Sequence, residues 1–137
     1  MSYAGDVTPA EAYAAVTSGE DAVLVDVRTR AEWTFVGVPD LSTAGGALVL
    51  VEWSTYPEGN VNERFLDEVG DAGVVPGRPV YLLCRSGVRS RAAAEALTAA
   101  GLGPAYNVVE GFEGPHDARG HRTVSGWKNA GLPWRQG

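Results

Sequence analysis

The chain has 137 residues and a net charge of −6, with 17 acidic against 11 basic residues. Its length is typical of a single domain, and a hydrophobic content of 45% is enough for one core. An acidic chain without a basic stripe argues against nucleic-acid binding. No apolar run is long enough to cross a membrane, so we expect no membrane association. The N-terminus lacks the charged and apolar regions of a signal peptide, so we expect a cytoplasmic protein.

The first half of the chain predicts alternating helices and strands. A capping box with an adjacent proline predicts a helix over residues 8–19, which ends at a glycine. Residues 22–27 are almost all apolar, as in a strand that is covered on both faces. A short helix begins at Thr29 or Arg30, and residues 47–51 form a second strand of the buried type.

The second half continues this alternation. A helix over residues 61–69 would carry its apolar side chains, Val61 among them, on one face. Residues 80–83 form a third strand, and residues 91–100 are a strong helix-forming segment that stops at a glycine. Residues 106–109 form the last predicted strand. A short helix is predicted around residues 123–130.

This alternation predicts an α/β fold, with a mainly parallel central sheet and helices on both faces. In such sheets, ligands bind beyond the carboxyl ends of the strands. Cys84 lies at such an end, directly after the strand at residues 80–83. It is the only cysteine in the chain, which excludes an intrachain disulfide and a cysteine-based metal cage.

The surroundings of Cys84 favour a negatively charged sulfur. The thiol faces the unpaired backbone amides and the positive dipole end of the following helix. Arg85 and Arg89 add positive charge to the loop. The basic residues of this acidic chain are concentrated between Arg78 and Arg91, which predicts a small anionic ligand. We expect both loop arginines to be exposed and to contribute little to folding. The sequence therefore predicts a nucleophilic thiolate, and a structural cysteine is the alternative.

Two further pairs of residues are candidates to support this site. Asp26 and Arg28 follow a strand whose end should lie beside Cys84, and the alternative is a structural salt bridge between them. Glu52 and Trp53, together with Tyr56, follow another strand end and are candidates for recognition of an acceptor substrate.

The two histidines do not form a convincing metal site. His116 and His121 are five residues apart in a charged segment, and only Asp117 accompanies them as a ligand. We expect solvated loop histidines, no bound metal and no cofactor.

Several segments of the chain resemble rhodanese-like sulfurtransferases and occur in the order typical of that family. They are Asp-Val-Arg with Glu-Trp at residues 26–33, the cysteine loop at residues 84–90, Val-Glu-Gly-Phe at residues 109–112, and the endings at residues 126–128 and 131–134. The resemblance implies a single rhodanese-like domain over residues 1–137, with a core at about residues 8–134. The chain departs from the family at residues 37–41, where Gly-Val-Pro-Asp-Leu replaces the common Gly-His-Ile-Pro-Gly-Ala. The resemblance therefore does not predict the shape of the pocket wall next to this segment.

The resemblance implies sulfane-sulfur transfer through a persulfide on Cys84, of the thiosulfate:cyanide type. A small anionic donor such as thiosulfate supplies the sulfur, and cyanide or a thiol, which a partner protein can carry, accepts it. Loop residues would bind the persulfide and the anionic remainder of the donor. These residues are Arg85, Ser86, Gly87, Val88, Arg89 and Ser90. A second hypothesis is a persulfide carrier or regulatory binding module with little thiosulfate turnover, whose loop would look the same.

Phosphatases and arsenate reductases are the competing enzyme class, because they share the strand, cysteine loop and helix. They resemble one another in having five residues between the cysteine and the arginine. Here four residues separate Cys84 from Arg89. A shorter loop makes a tighter cradle, which suits a sulfur atom better than a phosphoryl group.

Overall fold

Strands and helices alternate along the protein, whose structure is a computed structural model. It describes residues 3–18, 21–42, 45–55, 59–114 and 125–136. The elements in chain order are β1 (Gly5–Val7), α1 (Pro9–Val16), β2 (Val23–Asp26), α2 (Arg30–Phe35), β3 (Val38–Pro39), β4 (Ala47–Leu50), α3 (Phe65–Asp71), β5 (Pro76–Leu83), α4 (Val88–Ala99), β6 (Gly103–Val108) and β7 (Trp134–Arg135). No helix in these ranges is both long and apolar enough to cross a membrane.

The central sheet has five parallel strands in the order β1-β6-β5-β2-β4. β5 lies in the middle, and its last residue, Leu83, is in register with Asp26 of β2. Cys84 therefore leaves the carboxyl edge of the sheet beside the end of β2. This arrangement confirms the predicted fold class and the predicted position of the cysteine.

Two apolar clusters cover the two faces of the sheet. On one face, Phe65 of α3 and Leu97 of α4 pack against the strands. On the other face, Val16 of α1 and Trp127 do the same. All four side chains are at most 3% exposed. Coverage on both faces explains why β2, buried along its whole length, has an apolar run rather than an alternating pattern.

The predicted capping box at the start of α1 is confirmed, and a second capping box, which was not predicted, starts α2. The Thr8 hydroxyl accepts from the Glu11 amide, and the Glu11 carboxylate accepts from the Thr8 amide. Thr29 and Glu32 make the same reciprocal contacts at the start of α2. Glu32 is thereby held at a defined place in the first turn of α2.

The predicted helix over residues 61–69 is wrong at its start. Val61 is 55% exposed and forms an isolated antiparallel bridge with Ser54, so α3 begins only at Phe65. Phe65 and Val69 are buried as predicted, whereas Leu66 is 40% exposed. Pairing with the preceding loop segment thus overrides the helical pattern at Val61.

Three short strands were not predicted, and β6 is therefore not the last strand. They are β1, β3 and β7, with three, two and two residues. The segment at residues 37–41 contains β3, which pairs with β7. The two strands approach closely, because a Cβ on Gly37 would lie only 2.7 Å from the Arg135 carbonyl oxygen. A short helix was predicted around residues 123–130. Residues 125–130, the described part of this range, form bends and turns instead. Residues 123 and 124 lie outside the described ranges.

Candidate active site

Cys84 lies at the floor of a cleft of about 750 Å³, between the end of β5 and the start of α4. Its side chain is 1% exposed. The Sγ atom accepts a hydrogen bond from the Gly87 amide at 3.1 Å and lies 3.2 Å from the Ser90 hydroxyl oxygen. Gly87 caps the 12-residue helix α4, so the sulfur lies at the positive end of the helix dipole. These contacts stabilise a negative charge on the sulfur.

The loop that carries Cys84 is held against the turn that follows β6. The Phe112 amide donates to the Cys84 carbonyl at 2.8 Å, and the Glu113 amide donates to the Arg85 carbonyl at 3.0 Å. Gly87 has a φ of 109°, and a Cβ at this position would overlap the Val109 carbonyl oxygen. Glycine is therefore required at residue 87 for both its backbone conformation and this close approach.

Arg89 is bound to α2 rather than pointing freely into the cleft. Its Nη1 and Nη2 atoms donate to the two carboxylate oxygens of Glu32 at 2.6 and 2.9 Å. The Arg89 and Glu32 side chains are only 26% and 20% exposed. Burial alone would raise the pKa of Glu32, but the hydrogen bonds and charge of Arg89 lower it to about 2. Hydrogen bonds to Glu32 raise the pKa of Arg89 in turn. The expectation of an exposed loop charge is wrong for Arg89.

Arg85 differs from Arg89 in both exposure and pairing. Its side chain is 47% exposed and lines the cleft. Its Nε atom is 3.5 Å from the Glu113 carboxylate, a longer contact than either Arg89 bond. The expected exposure is confirmed for Arg85, which leaves it as the more accessible of the two guanidiniums.

Behind the sulfur, a chain of polar side chains leads away from Ser90. The Ser90 hydroxyl lies 2.6 Å from Asn107 Oδ1, and Asn107 Nδ2 donates to Asp6 Oδ1 at 3.3 Å. Ser90 and Asn107 are 0% and 4% exposed. A hydroxyl group has one hydrogen, so Asn107 Oδ1 and the Cys84 sulfur compete for it.

This competition predicts opposite effects for two substitutions. Ser90→Ala removes a donor from the sulfur, so the rate of Cys84 alkylation by iodoacetamide at pH 7 should fall by about fivefold, the equivalent of one hydrogen bond. Asn107→Leu removes the competing acceptor and leaves the Ser90 hydrogen to the sulfur, so the rate should rise. Alkylation followed by intact-protein mass spectrometry at this one pH tests both changes. Changes of the same sign in the two variants would contradict the competition.

Asp26 and Arg28 form a salt bridge in which both side chains are 0% exposed. Arg28 Nη2 donates to the Asp26 carboxylate at 2.7 Å and to the Gly37 carbonyl at 2.7 Å. The guanidinium also lies 4.2 Å from the centre of the Phe112 ring. Neither residue lines the cleft. They are connected to the cysteine loop through Phe112, whose amide donates to the Cys84 carbonyl, and through the register of Asp26 with Leu83.

The candidates for acceptor recognition lie beside the cleft. Among the described residues that line it, neither Glu52 nor Trp53 is present. Glu52 accepts from the Arg30 amide at 2.9 Å, and the Trp53 ring packs edge-on against Phe65. Tyr56 lies outside the described residues.

The segment that contains His116, Asp117 and His121 also lies outside the described ranges. Within those ranges, no group of three histidine, cysteine, aspartate or glutamate side chains is arranged to hold a metal ion.

Three residues of the site were not identified as such from the sequence. Glu32 and Glu113 bind the two loop arginines, and Asn107 binds Ser90. The sequence contains a signal for Glu32, because this residue lies in a segment that resembles the rhodanese-like family. An asparagine within the apolar run at residues 106–109 is also a signal, since a buried amide needs hydrogen-bond partners.

Comparison with known proteins identifies related sequences. Residues 4–137 match the family model described as the STR4 middle domain. An uncharacterised protein of Rickettsia conorii is 35% identical over 130 residues, which cover 95% of this chain and 96% of that protein. The rhodanese-like domain-containing protein 4, chloroplastic, of Arabidopsis thaliana is 29% identical over 124 residues, or 90% of this chain and 24% of that protein.

Solved structures share the same architecture. The crystal structure of Rv0390 from M. tuberculosis is 57% identical, has a TM-score of 0.90, and matches 99% of this chain and 100% of that chain. The polysulfide-sulfur transferase of Wolinella succinogenes is 21% identical, with a TM-score of 0.69 over 98% of this chain and 80% of that chain. That second likeness concerns the fold alone. The chain therefore has a rhodanese-like fold and belongs to the STR4 middle domain family.

Proposed function

We propose that the protein is a sulfurtransferase that carries sulfane sulfur as a persulfide on Cys84. The observation that carries the proposal is the environment of the sulfur. It lies at the floor of a cleft, at a helix N-terminus, and accepts a hydrogen bond from the Gly87 amide. The names of two relatives, a polysulfide-sulfur transferase and a rhodanese-like domain protein, support the same chemistry.

The reaction takes place in two steps. With thiosulfate as donor, the Cys84 thiolate attacks the outer sulfur and forms a new S–S bond, while sulfite leaves with the electron pair of the broken S–S bond. In the second step, cyanide or a thiolate attacks the outer sulfur of the persulfide. Thiocyanate or a new persulfide leaves, and the Cys84 thiolate is regenerated.

The residues around the sulfur have separate roles in this scheme. The Gly87 amide and the Ser90 hydroxyl stabilise the negative sulfur in each resting state. Arg85, the more exposed arginine, binds the oxygen atoms of the donor. Arg89 acts through its two bonds to Glu32, which keep the loop in place. The four-residue spacing from Cys84 to Arg89 supports sulfur rather than phosphoryl chemistry, so we expect no hydrolysis of aryl phosphates.

Intact-protein mass spectrometry tests the proposal. After treatment with thiosulfate and removal of excess donor, the wild-type chain should gain the mass of one sulfur atom, and Cys84→Ser should gain none. Addition of cyanide should then remove the sulfur and release thiocyanate. An unchanged wild-type mass, or an equal gain in Cys84→Ser, would contradict the proposal.

The same experiment separates an enzyme from a persulfide carrier. Thiocyanate released over many turnovers from thiosulfate and cyanide indicates an enzyme. A persulfide that forms once and is transferred only slowly to cyanide indicates the carrier alternative.

A further inference from the structure

The cleft above Cys84 is larger than thiosulfate or cyanide requires. Its volume of about 750 Å³ lies in the range of pockets that bind drug-sized organic molecules, roughly 300–1,000 Å³. Either small ion would fill only the region next to the sulfur. The remaining space is sufficient for an organic group attached to the reacting sulfur.

The exposed lining of this cleft is mainly apolar. Helix α2 contributes Ala31 and Phe35, Val36 follows it, and the start of α4 contributes Val88. The Phe35 and Val88 side chains are each 77% exposed. Contact with an apolar ligand would remove both from water, which is favourable.

The charges around the cleft do not favour a dianion. Glu32 is bonded to Arg89, and Glu113 lies beside Arg85, so each arginine in the described lining has a carboxylate next to it. The chain as a whole carries a net charge of −6, which repels a doubly charged anion at long range. A donor with a single negative charge meets less of this repulsion.

We infer that the cleft selects a sulfane-sulfur donor with a large apolar group, an aryl thiosulfonate, over donors without one, such as methanethiosulfonate and thiosulfate. This inference rests on the proposed function, because it uses the same persulfide on Cys84. The apolar group lies between Phe35 and Val88, and the polar head of the donor lies next to Arg85.

The transfer from such a donor is balanced without any other reactant. For a thiosulfonate, the Cys84 thiolate attacks the terminal sulfur and an S–S bond forms between them. The S–S bond of the donor breaks, and its electron pair leaves with the organic sulfinate. One negative charge stays on the Cys84 persulfide and one leaves on the sulfinate, as two were present at the start.

Two thiosulfonates with the same charge and reacting group test the inference. The rates of Cys84 persulfide formation from benzenethiosulfonate and methanethiosulfonate are measured by rapid quench and intact mass spectrometry. Each rate is divided by the rate of the same donor with free cysteine, which removes differences in intrinsic reactivity. We expect the protein to prefer the aryl donor by about tenfold. Phe35→Ala should lower this preference by about fivefold.

Leu66→Ala is the matched control, because Leu66 is an exposed apolar residue of α3 that does not line the cleft. It should leave the preference unchanged. Equal normalised rates for the two donors, or an unchanged preference in Phe35→Ala, would overturn the inference while persulfide formation still supported the proposed function. Failure of every donor, thiosulfate included, to form a persulfide would overturn the proposed function and the inference with it.

Discussion

Gly87→Ala is expected to lower the rate of sulfur transfer by about 10²–10³-fold, the loss that follows removal of one donor to a developing anion. A Cβ at residue 87 would overlap the Val109 carbonyl oxygen, so the loop must move away from the turn after β6. The Gly87 amide, which donates to the Cys84 sulfur at 3.1 Å, moves with the loop. Persulfide formation from thiosulfate, followed by mass spectrometry, measures the loss.

Gly77→Ala separates this effect from backbone strain. Gly77 also has a positive φ, 89°, but a Cβ there would have no atom within 4 Å. Its substitution should cost about 1–2 kcal/mol of folding free energy from strain alone and leave sulfur transfer unchanged. Gly87→Ala should cost more, because the overlap adds to the strain. Sulfur transfer at the wild-type rate in Gly87→Ala would contradict the role assigned to this amide.

Glu32→Gln is expected to lower the free energy of unfolding by about 2 kcal/mol at pH 7, a value reduced to allow for the partial exposure of the pair. The pKa of Glu32 is about 2 in the folded protein, against an ordinary value of 4.5. A lowered pKa stabilises the fold fully above the unfolded-state value. That stabilisation is lost as the pH falls through the folded-state value. The difference between wild type and variant should therefore shrink below about pH 4.5 and vanish near pH 2.

Glu113→Gln is the matched control for the charged pairs of the loop. Glu113 lies 3.5 Å from Arg85, whose side chain is 47% exposed. The unfolding free energy should change by less than about 0.5 kcal/mol, as for other exposed pairs. Urea unfolding of both variants at pH 7 and pH 3 makes the comparison. Equal losses that do not depend on pH would contradict the distinction between the two pairs.

The predictions that the structure confirms rest on local sequence patterns. The predicted capping box at Thr8 involves residues three positions apart, and its reciprocal contacts with Glu11 are present. The apolar run before Cys84 is the end of β5, and the helix after it is α4. Residues near in sequence interact in nearly the same way in any fold that forms the element, so these parts could be predicted.

Predictions failed where contacts outside a single helix or strand determine the structure. Val61 leaves the predicted helix because it pairs with Ser54. The strands β3 and β7 are two residues each and exist only because residues 38–39 meet residues 134–135. No periodic pattern can appear in two residues, so neither strand has a signature in the sequence.

The sequence by itself determined the fold class, the place of Cys84 at the carboxyl edge of the sheet, and the glycine-containing turn next to it. Only the tertiary structure decided what the polar residues of the loop bind. Arg85 and Arg89 have the same side chain four residues apart, yet Arg89 is bonded to Glu32 and half-buried, whereas Arg85 stays exposed beside Glu113. Ser90 likewise acquires Asn107 as a partner from β6. The residue type determines which charged or hydroxyl group is present. Its partners and its exposure depend on which other segments the packed sheet brings next to it.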